Sequence, residues 1–152
     1  PIARAVRPDK LALAALAATL RAWKTGAWRA FPIYRAASAN VEELEGRGGA
    51  LLERVPRSKS LTVTLVPSLA AFGGGTSPER LFASRALAVE SETRSADALA
   101  SLMREGSPPI VARVERGKVL LDLRSVSPEE DALLAAALES LAAGAAAPSR
   151  VR

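Results

Sequence analysis

The polar run Pro56-Arg57-Ser58-Lys59-Ser60 divides the chain into two kinds of hydrophobic pattern. Before it, apolar residues recur at helical spacing. After it, β-branched runs alternate with further helical stretches. An architecture that keeps sheet and helices in separate blocks accommodates that order. The pattern predicts an α+β layer: helices, then β-loop-β-α-β-β-α, with an antiparallel or mixed sheet and helices on one face.

The element boundaries follow from local chemistry. Pro8 suits a helix's first position, and Asp9 favours the positive end of the dipole. A helix is expected from about Asp9 to Lys24, ending near Gly26. Leu11, Leu13, Leu16, Leu20 and Trp23 leave it apolar over much of its circumference, which predicts burial on more than one side. A shorter helix over Ala27–Tyr34 is interrupted at Pro32. Asn40 caps a helix to about Arg54, weakened by Gly46, Gly48 and Gly49. Leu61–Val66 reads as a strand ending at a proline, and Arg85–Glu90 as a second strand. Ser95 caps a helix over Ala96–Glu105. Pro109–Val114 and Lys118–Leu123 form a hairpin around Glu115-Arg116-Gly117. Ser127 caps a last helix to about Ala142, with Pro128 first and Glu129, Glu130 and Asp131 serving its dipole.

Composition narrows the chemistry. Apolar residues make up 49% of the chain and aromatic ones only 4%, so the core must be built from Ala, Leu and Val. Cys and His are both absent. That removes disulfides, thiol nucleophiles, Ser-His-Asp triads and zinc sites of Cys or His. No apolar run reaches the roughly 18 residues of a membrane span, and the cytoplasm is the expected compartment. The net charge of +5 reads as spread along the chain; it permits an anionic partner without demanding one. The opening Pro1–Lys10 has no initiator Met and no secretory pattern. It is expected to continue from a larger preceding domain.

A few residues stand out. Arg4 and Arg7 are two long arms ahead of a helix N-terminus, suited to a phosphate-like anion; spacing alone favours the plainer reading of two solvated linker arginines. Arg113 alternates with apolar neighbours in a strand. It faces either a cleft or an acidic partner such as Glu115 or Asp122. Gly73-Gly74-Gly75-Thr76 lacks the spacing of a P-loop or a dinucleotide fold and reads as a turn. Lys10, Lys24, Lys59 and Lys118 read as surface positions, without the dry surroundings that activate an amine.

Three stretches carry a resemblance to a known family. They are Pro1–Leu11 with its following helix, Phe72-Gly73-Gly74-Gly75-Thr76-Ser77-Pro78, and Pro108–Arg113 with Leu120–Val126 and Pro128–Asp131. Together they resemble the C-terminal part of bacterial selenocysteine synthase, the L-seryl-tRNA(Sec) selenium transferase, over residues 1 to about 142. The family departs at Ala112 and Thr76, where it usually has Gly and Ser, and at Ala27-Trp28-Arg29.

The resemblance implies a fold-type-I transferase dependent on pyridoxal 5'-phosphate (PLP), whose cofactor lysine lies upstream. It implies that residues 1–38 are a connecting segment and long helix from a PLP-binding large domain. Residues 39–143 would be the small α+β domain, and 144–152 a flexible tail. The implied reaction converts seryl-tRNA(Sec) to selenocysteinyl-tRNA(Sec) with selenophosphate. The family's anion-binding arginines fall on Arg4 and Arg7, and Arg113 is a weaker substrate-facing candidate. The implied partners are tRNA(Sec), selenophosphate and further copies of the chain, in a homo-oligomer built from dimers. The chain by itself is expected to be inactive. Two alternatives stay open: a related PLP lyase or aldolase acting on a small phosphorylated substrate, and a non-catalytic RNA-binding module. The second is disfavoured by dispersed charge and the lack of an aromatic stacking platform.

Overall fold

The computed structural model describes residues 7–71 and 80–144. They divide into two compact units, with the boundary between Ser38 and Ala39.

The first unit opens with α1 (Lys10–Thr25). Asp9 caps it by accepting from the Ala12 amide at 2.8 Å, and Gly26 closes it in the left-handed conformation at φ 78°. Both ends lie within a residue of the sequence expectation. A 3-10 turn (Ala27–Ala30) and α2 (Pro32–Ser38) follow. Pro32 opens the second helix instead of interrupting it, because the first helical position needs no N–H. The expected burial of α1 on more than one side is not met within this unit. None of its residues is buried, and Leu11 is 82% exposed. The unit has only one short helix and a 3-10 turn to set against a 16-residue helix.

An aromatic corner holds the C-terminal end of α1 to the segment after it. The Trp23 and Trp28 rings stack at 4.8 Å with 15° between planes. Tyr34 meets both edge-on, at 5.1 and 5.3 Å. Phe31 lies 6.2 Å from Tyr34. A chain with few aromatic side chains has placed four of them here.

The second unit contains α3 (Val41–Arg54), β1 (Leu61–Ala71), β2 (Leu81–Ser91), α4 (Ala96–Glu105), β3 (Arg113–Glu115), β4 (Lys118–Asp122) and α5 (Asp131–Ala142). The described strands form one antiparallel sheet in the order β1-β2-β4-β3. Leu87, Val89, Val119 and Leu121 point from it into a core completed by α3, α4 and α5. The fully buried cluster is made of Leu, Val, Ala and a single Met, with no aromatic residue, as the composition requires.

Two strand expectations need correction. β1 does not stop at Pro67 but pairs with β2 in unbroken register to Ala71. It is an edge strand, where a missing N–H leaves no second neighbour unserved. β3 begins only at Arg113. Pro108 and Pro109 supply no donors ahead of it, and the Ile110 amide returns to the Met103 carbonyl at 2.9 Å. The hairpin turn itself is as expected: Arg116 and Gly117 both take positive φ, 51° and 76°, the geometry that matches strand twist.

α3 lies close against the sheet at one point. A Cβ on Gly48 would overlap the Leu65 side chain and come within 3.2 Å of Leu123 Cδ1. Its N-terminus is fixed by a reciprocal capping box between Asn40 and Glu43. Asn40→Ala is expected to cost about 1 kcal/mol and Asn40→Gly only a few tenths. Urea midpoints of the two variants check this.

Candidate functional site

Of the two arginines expected to bind an anion, Arg4 lies outside the described residues. Arg7 is exposed in irregular backbone, two residues ahead of the cap of α1. In sequence it precedes the N-terminal end of α1, where the Asp9 carboxylate already occupies the capping position. The glycine run at 73–75 lies outside the described residues, as does all of the expected tail except Gly144.

Arg113 lies on the sheet face turned away from the helices. The alternation that sends Leu87 and Leu121 into the core sends Ser84 and Asp122 to this face. A groove of about 640 Å³ runs across it, lined by Val66, Ser68, Ser84, Arg113, Lys118 and Leu120 among others. Arg113 Nη2 donates to Ser68 Oγ at 3.2 Å and Nη1 to the Leu69 carbonyl at 3.4 Å. Its ion pair is with Glu115 on its own strand, at 3.4 Å. Asp122 is reached only through Ser68, whose hydroxyl donates to Asp122 Oδ2 at 2.7 Å. Arg113 thus lines the groove, and its acidic partner sits on its own strand instead of across from it.

Asp122 is the centre of this seam. It also accepts from the buried Ser84 hydroxyl at 2.6 Å and from the Arg124 amide at 3.1 Å. With both hydroxyl protons directed at the carboxylate, the seam fixes Ser68, Ser84 and Asp122 against one another across three strands. Sequence reading missed Ser68 and Ser84, and gave Asp122 only a pairing role. Their partners stand 54 and 38 residues away, and no local spacing announces them.

Two further arginines act inside the fold. Arg124 is 6% exposed; it donates to the Ala39 carbonyl at 2.9 Å and to the Ala83 carbonyl. Arg47 grips both Asp131 oxygens, at 2.9 and 2.6 Å, and the Leu123 and Val126 carbonyls at 3.2 and 3.0 Å. Asp131 therefore ties α5 to α3, beyond any part in the helix dipole. Glu130 does serve the helix start, returning to the Ser127 amide at 3.2 Å.

The lysines match expectation. Lys10, Lys24 and Lys59 are exposed, and Lys118 pairs with Glu90 at 2.9 Å on the surface. None has the desolvated setting in which a lysine amine is poised to form an imine, so the described residues do not fit the aldehyde end of PLP. Among them there is also no cluster of His, Cys, Asp and Glu suited to a metal, and no helix long and apolar enough to cross a membrane.

Charge is not dispersed, contrary to the sequence expectation. Residues 1–38 carry seven Lys and Arg against one acidic residue, Asp9. The remainder carries 14 basic against 15 acidic residues. The surplus belongs to the first unit.

Comparison with known proteins supplies the context. The family profile for L-seryl-tRNA selenium transferase matches residues 1–127. The chain is 37% identical over 128 residues to the L-seryl-tRNA(Sec) selenium transferase of Hyphomonas neptunium, covering 83% of this chain and 28% of that protein. It is 33% identical over 146 residues to that of Geobacter metallireducens, covering 93% and 32%. With that of Moorella thermoacetica the figures are 37% over 150 residues, 95% and 32%. The chain thus spans less than a third of the length of these relatives.

Proposed function

The chain belongs to the L-seryl-tRNA selenium transferase family, and from that premise we propose that it is the C-terminal part of an enzyme that converts seryl-tRNA(Sec) to selenocysteinyl-tRNA(Sec) with selenophosphate. The observation that carries this is the 37% identity over 128 residues to a protein of that name. In this reading PLP supplies the electron sink for exchange at the seryl side chain, and it is held by residues outside this chain. The surface setting of all four lysines supports that placement.

The chain's own residues bind and orient. Arg4 and Arg7 hold the selenophosphate anion, each guanidinium offering a planar fork to two oxygens. The exposure of Arg7 ahead of α1 suits that role. Arg113 is a secondary contact at the groove of the small domain. Residues 1–38 lead out of the cofactor-binding domain, and the exposed Leu13, Leu16 and Leu20 of α1 pack against it. In this reading the partner is tRNA(Sec), the substrate named for the relatives, and the enzyme works as a homo-oligomer built from dimers in the cytoplasm.

The test has two arms. The complete protein containing this chain should restore selenium-75 labelling of selenoproteins in a bacterium lacking its own selenium transferase. The 152-residue chain mixed with PLP should give no stoichiometric borohydride-trapped adduct. Failure of the complete, PLP-loaded protein to transfer selenium would overturn the proposed reaction. A one-to-one adduct at Lys10, Lys24, Lys59 or Lys118 would overturn the assignment of the amine to another part of the enzyme.

A further inference from the structure

The surplus charge of the first unit has a geometry. At 3.6 residues per turn, Lys10, Arg21 and Lys24 fall within about 60° of one another around α1. They form a basic stripe about 21 Å long at 1.5 Å per residue. Leu13, Leu16, Leu20 and Trp23 form the neighbouring stripe. The flank on the far side of the leucines carries only Ala and Thr, from Ala12, Ala15, Thr19 and Ala22. At the C-terminal end of the stripe, Arg29 lies over the Trp28 ring with its guanidinium carbon 4.7 Å from the centroid. Trp28 in turn stacks on Trp23. Lys10, Arg21, Lys24 and Arg29 are all exposed, and among the described residues none is paired with a carboxylate. Asp9, the acidic residue of the unit, is engaged at the helix cap.

We propose that the Lys10–Arg21–Lys24 face of α1, together with Arg29 and the stacked Trp23–Trp28 corner, is an RNA-contact surface. The cations track the sugar-phosphate backbone, and the indole corner receives an unstacked base. This rests on the transferase reading for the identity of the RNA and deepens it by naming where the RNA is held. Unpaired cations release counterions when they meet phosphates, which is the main source of such affinity. Aromatic and guanidinium planes add stacking with little sequence demand. Arg29 is preorganised by its ring, so less side-chain entropy is lost on binding. A helix that lies on a lipid surface flanks its apolar stripe with cations; here one flank has them and the other has none.

The experiment measures binding of end-labelled tRNA(Sec) by the 152-residue chain across a salt series. Both tryptophans of the chain lie in this corner, so quenching of indole emission reports on it alone. The triple variant Arg21→Ala, Lys24→Ala, Arg29→Ala should lose at least tenfold in affinity and flatten the log-affinity against log-salt slope by about 2 to 3. A charge-matched control, Arg57→Ala, Arg94→Ala, Arg104→Ala, removes three exposed cations from the second unit and should change neither. Trp23→Phe should keep the slope and lose part of the affinity. Equal losses in both triple variants overturn the proposal, as does tRNA binding without indole quenching. Tighter binding to anionic phosphatidylserine vesicles than to tRNA assigns the face to membranes and also overturns it. In the complete enzyme, selenium transfer that survives the first triple variant with unchanged KM for tRNA sinks this surface and leaves the reaction standing. RNA binding that a complete protein unable to transfer selenium retains, and that the first triple variant abolishes, supports the surface and sinks the reaction.

Discussion

Arg7→Ala in the complete enzyme is expected to raise the KM for selenophosphate by about 10- to 100-fold while leaving the KM for seryl-tRNA unchanged. A charge-assisted guanidinium–phosphate contact contributes about 1.5–3 kcal/mol, which sets that range. The side chain is exposed and lies outside any helix or strand, so its loss takes little folding energy with it. Arg7→Lys should fall between, since it keeps the charge and loses the two-pronged fork. Steady-state kinetics with the donor varied at saturating tRNA read all three proteins. An unchanged donor KM in Arg7→Ala would remove this residue from the donor site.

Leu123→Ala is expected to lower unfolding free energy by about 3 kcal/mol and the melting temperature by roughly 10 °C. The side chain is fully buried, with 0% exposure, just after β4. Its Cδ1 lies beside Gly48 of α3, where a Cβ would come within 3.2 Å. Its carbonyl is held by Arg47, so the backbone is pinned and the emptied space cannot easily collapse. Leu133→Ala, at a side chain 51% exposed, should cost well under half as much. Calorimetry on the two variants decides. Equal losses would mean that Leu123 is not packed as described.

Most of the fold was legible because its element ends are written in local chemistry. Asn40 and Ser95 announce their helices, and Arg116-Gly117 announces its hairpin; Ser127 caps a 3-10 turn, Pro128–Glu130, and α5 itself begins three residues later than expected, at Asp131. Pro67 misled because a proline ends a central strand but is tolerated at an edge, and edge status depends on the whole sheet. The burial of α1 misled because an apolar pattern states what a helix needs covered, not where the cover lies. The polar seam around Asp122 was illegible for a different reason. Its hydroxyls come from β1 and β2, and nothing near Asp122 in sequence marks Ser68 or Ser84 as its partners. Arg47 and Asp131 stand 84 residues apart. The charge surplus of residues 1–38 was present in the sequence, and averaging over the whole chain hid it.

The two margins of the sheet share a consequence. β3 contributes only three residues, and the longer margin, β1, carries Pro67 in its middle. A stray polypeptide trying to zipper onto either border finds too few amides in one place and a gap in the row of donors in the other. Lateral growth into fibrils is thereby discouraged, so crowding many copies together carries little amyloid hazard from this domain.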